Sequence, residues 1–193
     1  MKYPDPILMN MSNAEYHAKE DISASDLKSW VKTCPKVWHQ LKYGDGKVDH
    51  APVVKKAFRD GELAHAFTLE RERAEKHYII CPNKTTKAGK ERAAEVIAEG
   101  KEPISQAEYD LALSLSESVQ RHPTASSLLS FGQAELSYFK SDPSTGLAVK
   151  ARPDWIADDV IVDLKTTGEG GASPDSAIKT IARYLYHLQA AHY

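Results

Sequence analysis

Cysteine is almost absent from this chain. Cys34 and Cys81 are the only two in 193 residues. Two thiols exclude a multi-bridge disulfide framework and fall short of the four required by a structural thiolate zinc site or an iron–sulfur cluster. A reducing, cytoplasmic setting is the expectation. Long hydrophobic runs are missing too. Nothing approaches the roughly 18 apolar residues of a membrane span, and the opening Met1-Lys2-Tyr3-Pro4-Asp5-Pro6 has no apolar core of a secretory signal. No membrane partner is expected. Charge of one sign does not dominate, since 25 Lys and Arg face 27 Asp and Glu for a net charge of −2. That balance excludes a histone-like polycation and an acidic tail. The glycines of Gly168-Glu169-Gly170-Gly171 are not followed by Gly-Lys-Ser/Thr, so they are no phosphate-binding P-loop. They read as a loop at the rim of a site. No internal repeat or low-complexity block is present.

What remains is 41% hydrophobic and 27% charged, the composition of an ordinary globular domain. The pattern predicts an α/β (α+β) fold in one domain over residues 1–193. Residues up to about Ser130 read as helices. Residues from about Gln133 to Thr167 read as strands, and a last helix follows. Ser23-Ala24-Ser25-Asp26 supplies N-cap residues ahead of Leu27, Trp30, Val31 and Cys34 at helical spacing. Pro35 restarts that helix, and Gly44-Asp45-Gly46 ends it. A helix over Pro52–Arg73 carries Gly61 and His65. Asn83–Gly89 reads as a basic loop, Ala93–Ala98 as a helix, and Ser105 with Glu108 as the capping box of a helix through Val119.

The period then changes to two. Glu135–Phe139 is strand-like, Asp142-Pro143-Ser144-Thr145-Gly146 is a turn, and Leu147–Pro153 is the return strand. Ala157-Asp158-Asp159 is a polar turn into a third strand, Val160–Lys165. Ser173-Pro174 opens a helix running to the end of the chain. On a strand, alternate residues share a face. Asp163 and Lys165 would therefore sit together on one face of an otherwise apolar strand, and charges so placed need partners. A hairpin can bring Asp154 beside Asp163. Two neighbouring carboxylates repel unless a cation lies between them, and hard oxygen ligands with room for water suit Mg²⁺, with Mn²⁺ as the alternative. Taken alone, an Asp-x-Lys tripeptide is common in surface hairpins with ordinary ion pairs. His65 alone would be a hydrogen-bonded core or surface histidine.

The combination is more informative than its parts. Pro153-Asp154, a short hairpin and Asp163-Leu164-Lys165 together resemble the PD-(D/E)XK nuclease superfamily. Ile22-Ser23-Ala24-Ser25-Asp26-Leu27 with Cys34-Pro35 and Tyr43 resembles the opening motif of its RecB-like branch. Gly61-Glu62-Leu63-Ala64-His65 resembles that branch's helical histidine, and Gln189 with Tyr193 its Gln-x-x-x-Tyr helix. Tyr16-His17-Ala18, Lys87-Ala88-Gly89-Lys90 and Asp163-Leu164-Lys165-Thr166-Thr167 are similar to the RecE-type exonucleases (exodeoxyribonuclease VIII). This resemblance implies a restriction-endonuclease-like core, a small mixed sheet flanked by helices. It implies that His65, Asp154, Asp163 and the carbonyl of Leu164 hold the metal. Lys165 would orient the attacking water. Glu135 would assist a second metal or, alternatively, make a strand-edge ion pair. Gln189 and Tyr193 would touch the DNA backbone or steady the site. The activity implied is digestion of double-stranded DNA from its ends, 5′→3′, by a ring-shaped homo-oligomer. The setting would be phage or prophage recombination beside a single-strand annealing protein.

Several expectations complete the reading. With only two cysteines, the iron–sulfur branch of the family does not apply, and Cys34 reads as a small buried hydrophobe. Between Lys28 and Arg59 eight basic residues face Asp45 and Asp49, a stretch that suits either a phosphate backbone or a solvated helix face. Trp30, Trp38 and Tyr43, interleaved with it, read as core anchors. No feature reads base sequence. The family's core continues with a further strand beyond the Gln-x-x-x-Tyr helix, so a chain stopping at Tyr193 would be truncated. Besides a remote third, a purely structural phage protein in which Asp154, Asp163 and Lys165 do not cluster, two alternatives stay open. One is an inactive nuclease-like protein that binds DNA or a partner. The other is an endonuclease or nickase with the same metal site.

Overall fold

The computed structural model describes residues 2–3, 5–44, 56–83, 85–157, 159–168 and 171–193. Several expectations fall outside them: residues 45 and 46 of the first turn, residues 52–55 of the second helix, residue 158 of the polar turn, and residues 169 and 170. Lys47, Lys55, Asp45 and Asp49 of the basic stretch lie outside as well. The chain is a mixed α/β protein, as its patterning indicates. It divides into two compact units whose segments interleave along the sequence. Among the described residues, no helix is long and apolar enough to cross a membrane.

The first unit comprises residues 1–53, 135–153 and 167–193. Its sheet is antiparallel, in the order β1 (Ile7–Met9), β5 (Ser137–Ser141), β6 (Ala148–Ala151). Ser137, Phe139 and Ser141 alternate inward on β5, and Phe139 is fully buried against Tyr3 and Tyr16. The turn before β6 forms where its residues demand it. Asp142 accepts from the Thr145 amide at 3.0 Å, and Gly146 takes φ 71°. Helix α1 (Asn13–Ala18) carries Tyr16 into this core. Lys150 on β6 is buried, and its ammonium donates to the carbonyl of Tyr16 at 2.8 Å and to that of Lys19, groups at the end of α1. Burial pushes its pKa down.

Helix α2 (Ala24–Lys32) begins in the expected N-cap stretch, with Ser23 and Asp26 forming a capping box, and Asp26 also pairs with Lys42 of α3 (Pro35–Tyr43) at 2.8 Å. These helices contribute little to the core. Cys34 is exposed rather than buried, and Trp30 and Tyr43 are 47% and 45% exposed. Tyr43 instead packs edge-on against Trp38 within its own helix. The expected single terminal helix is two, α9 (Pro174–Arg183) and α10 (Tyr186–His192), broken at Leu185 in the left-handed region at φ 54° and ψ 45°.

The second unit comprises residues 54–134 and 154–166. Its core is Leu63, Phe67, Ala74, Tyr78, Ile104 and Ala112. In α4 (Lys56–Leu69) the pairs Leu63-Ala64 and Phe67-Thr68 recur at helical spacing and are buried. They face α7 (Gln106–Arg121), whose Ser116 hydroxyl donates to the Phe67 carbonyl at 2.9 Å. After α5 (Arg71–His77), strand β2 (Tyr78–Ile80) pairs in parallel with β3 (Glu102–Ile104) across α6 (Lys87–Ala98). With β1, these strands correct the purely helical reading of the first 130 residues. Each has three residues, too few to show an alternation. The expected basic loop ends at Lys87, where α6 already begins under a Thr86 cap. Beyond α8 (Pro123–Leu128), a small antiparallel sheet joins β4 (Gln133–Ala134), β7 (Trp155–Ile156) and β8 (Ile161–Val162).

Candidate active site

The second unit builds its polar site from α4 and the β7–β8 hairpin. Trp155 pairs with Val162 and Ile156 with Ile161. One step outward, this register sets Asp154 opposite Asp163. Gly132 keeps the neighbouring strand close. Its φ is 145°, and a Cβ there would lie 2.4 Å from the Ile156 carbonyl oxygen. The predicted third strand is shorter than expected. Ladder pairing stops at Val162, so Asp163 and Lys165 lie on an extended tail rather than within a strand. The tail is held instead by a side chain, as Asp154 Oδ2 accepts from the Leu164 amide at 2.6 Å. Leu164 thus meets Asp154 through its N–H.

His65 faces the same carboxylate. Leu63 and Ala64 point into the core, leaving Gly61 and His65, four apart, on another face of α4. A Cβ on Gly61 would lie 2.9 Å from Thr166 Oγ1, so this glycine lets the tail approach the helix. His65 Nδ1 and Asp154 Oδ2 are 3.6 Å apart, with side chains 25% and 16% exposed. Lys165 Nζ pairs with Asp163 Oδ2. Burial raises the pKa of Asp154; His65 opposes that shift, the charge of Asp163 adds to it, and Lys165 and the Leu164 amide oppose it. A largely buried carboxylate facing a second acid is a poor resting place for negative charge and a good one for a cation.

The donor set fits a divalent ion. At 3.6 Å the imidazole nitrogen and the carboxylate oxygen are near enough to bind one ion between them. Carboxylate oxygen with imidazole nitrogen suits Mg²⁺ or Mn²⁺.

A family model of PDDEXK-like domains of unknown function (DUF3799) matches residues 23–193. The chain belongs to this family. No curated protein and no solved structure matches it. As a PDDEXK-like domain it falls within the PD-(D/E)XK superfamily, whose nucleases typically work with divalent metals. The match encloses His65, the β7–β8 hairpin and α10.

The remaining sequence-derived site residues of this PDDEXK-like domain lie in its first unit. Glu135 is not in a strand. It takes φ 54°, its carbonyl accepts from Arg152 Nε at 2.9 Å, and its carboxylate lies 3.5 Å from the same guanidinium. Gln189 and Tyr193 share one face of α10, as their spacing requires. Gln189 is buried, and its Nε2 donates to the Tyr193 hydroxyl at 2.7 Å. That hydroxyl donates to the Arg152 carbonyl at 3.2 Å, and His192 Nε2 lies 2.9 Å from the Lys150 carbonyl. The motif thus grips β6 and its continuation, the chain that leads through Pro153 to Asp154.

Sequence reasoning missed Lys28 as the donor to Gln189 Oε1. These residues are 161 positions apart, and no local signal links them. The basic stretch is also less bare than its composition implies. Lys42 pairs with Asp26, and Arg59 pairs with Glu102 and stands near Glu62 and Glu108.

One consequence concerns stability. Folded Asp154 keeps its proton to higher pH than an unfolded aspartate near 3.8. Metal-free stability therefore falls as pH rises from that value through the folded pKa. Asp154→Asn keeps the acceptor for Leu164 without the charge. In EDTA at neutral pH it should melt about 2–4 °C above the native protein, the shift of about 1 kcal/mol in a chain of this size. Thermal unfolding followed by circular dichroism checks this.

Proposed function

We propose that this chain is a divalent-metal-dependent deoxyribonuclease of the RecE type, hydrolysing phosphodiester bonds from double-stranded DNA ends. The observation that carries this reading is the His65 imidazole 3.6 Å from a largely buried Asp154 carboxylate whose pKa burial raises, with the charges of Asp163 and Lys165 acting on it. His65, Asp154, Asp163 and the Leu164 carbonyl would hold the ion. A bound divalent cation supplies acidified water and neutralises charge building on the phosphoryl oxygens. The other tasks fall to the chain. Asp154 and His65 fix the position of the reacting phosphate by anchoring the centre against α4. Lys165 would present its ammonium to the nucleophile. Gln189 and Tyr193 hold the strand that delivers Asp154. Glu135 would assist at a second ion.

The resemblance to RecE-type enzymes supports 5′→3′ digestion, a ring-shaped homo-oligomer, a cytoplasmic setting and action beside a single-strand annealing protein in phage or prophage recombination. Substrate topology tests the central part. With Mg²⁺, linear duplex should be consumed and covalently closed circles spared. Cutting of circles would establish an endonuclease, and sparing of both would overturn the nuclease reading.

A further inference from the structure

The break between α9 and α10 is conformationally expensive. Leu185 sits in a left-handed backbone that bulky residues rarely adopt. In an unbroken helix, residues 184 and 186 would point to nearly opposite sides. The turn at Leu185 instead stacks the rings of Tyr184 and Tyr186, with centroids 5.9 Å apart and planes within 22°. Helix α2 presents Lys28 and Lys32, one turn apart on one face, to this pair. Lys28 Nζ lies 5.1 Å from the Tyr186 ring and Lys32 Nζ 5.7 Å from the Tyr184 ring. Arg183 adds a third cation 5.6 Å from Tyr184. Tyr184 is 45% exposed, so its ring is open to a ligand.

We propose that Tyr184 and Tyr186, framed by Lys28, Lys32 and Arg183, are a binding platform for single-stranded DNA. A base stacks on the tyrosine pair and its flanking phosphates meet the cations. Stacked aromatics interleaved with cations are the chemistry that holds unpaired strands without reading sequence, while bases inside a duplex offer no free face. Lys28 also donates to Gln189, which joins the platform to the residues gripping the Arg152 carbonyl. The proposal rests on the reading of the chain as a DNA-processing domain, and it names the form of DNA held in the first unit: the unpaired strand at an end.

The test uses the full chain in EDTA, where no hydrolysis is expected. Fluorescence anisotropy compares a labelled thymidine strand of roughly 12 nucleotides with an abasic strand of equal length. The native protein should bind the thymidine strand about tenfold more tightly. Tyr184→Phe should keep that preference, and Tyr184→Ala should erase it. Lys32→Ala and Arg183→Ala should weaken both strands alike and flatten the salt dependence. Equal binding of the two strands by the native protein overturns the proposal, whether both bind or neither does. So does a preference that survives Tyr184→Ala, which would signal a different surface. Hydrolysis of linear duplex in Mg²⁺ is measured alongside. Hydrolysis without the base preference overturns the platform alone. A base preference without hydrolysis supports the platform and overturns the nuclease reading.

Discussion

Asp154→Ala and Asp163→Ala should each lower Mg²⁺-dependent hydrolysis of linear DNA by at least about a hundredfold, the scale on which a fixed electrostatic stabiliser acts. The two losses should differ in kind. Asp154 accepts from the Leu164 amide, and its removal also releases the tail that carries Lys165. The Asp163 carboxylate pairs with Lys165, and its removal should leave the bond between Asp154 and the Leu164 amide in place. Circular dichroism and melting curves separate the two cases. Asp163→Ala should melt close to the native protein, whereas Asp154→Ala gains from losing a buried charge and loses the Leu164 bond. Hydrolysis by Asp163→Ala at the native rate would contradict the assigned role.

Lys165→Met should show the second large effect, a fall in kcat of about a hundredfold with KM little changed. Methionine keeps the length of the side chain and removes its charge. Lys165 is paired with Asp163, so the substitution also removes a cation that competes for that carboxylate. Metal binding should therefore be retained or tightened while turnover is lost. A variant that loses both together would make Lys165 a part of the metal-binding framework rather than a group acting on the nucleophile.

Much of the site was legible because its residues sit on elements with strong local signals. The helix expected over Pro52–Arg73 put His65 on a helix, and the polar turn after Ile156 put Asp154 opposite Asp163. The Ser105–Glu108 capping box fixed one helix start to the residue, and the N-cap stretch Ser23-Ala24-Ser25-Asp26 marked another. What was not legible depended on distant partners. The strand expected over Val160–Lys165 stops at Val162 because a side chain, Asp154, takes over the role of a ladder partner. Periodicity cannot register such a substitution. Glu135 left its expected strand for a left-handed backbone beside Arg152, and the terminal helix broke at a leucine, which has no breaker signature. Strands β1, β2 and β3 were too short to show a period. Cys34 and Trp30 looked like core residues by type, yet in the first unit α2 buries only Ala24.

Manganese binding tests the account most directly, since Mn²⁺ can be followed by its own paramagnetic signal as free ion is taken up. The native chain should take up Mn²⁺ at a saturable site that Mg²⁺ displaces, and Asp154→Asn should lose that uptake while still unfolding in one cooperative transition. Equal uptake by the two proteins would show that the carboxylate facing His65 holds no ion and would contradict the account.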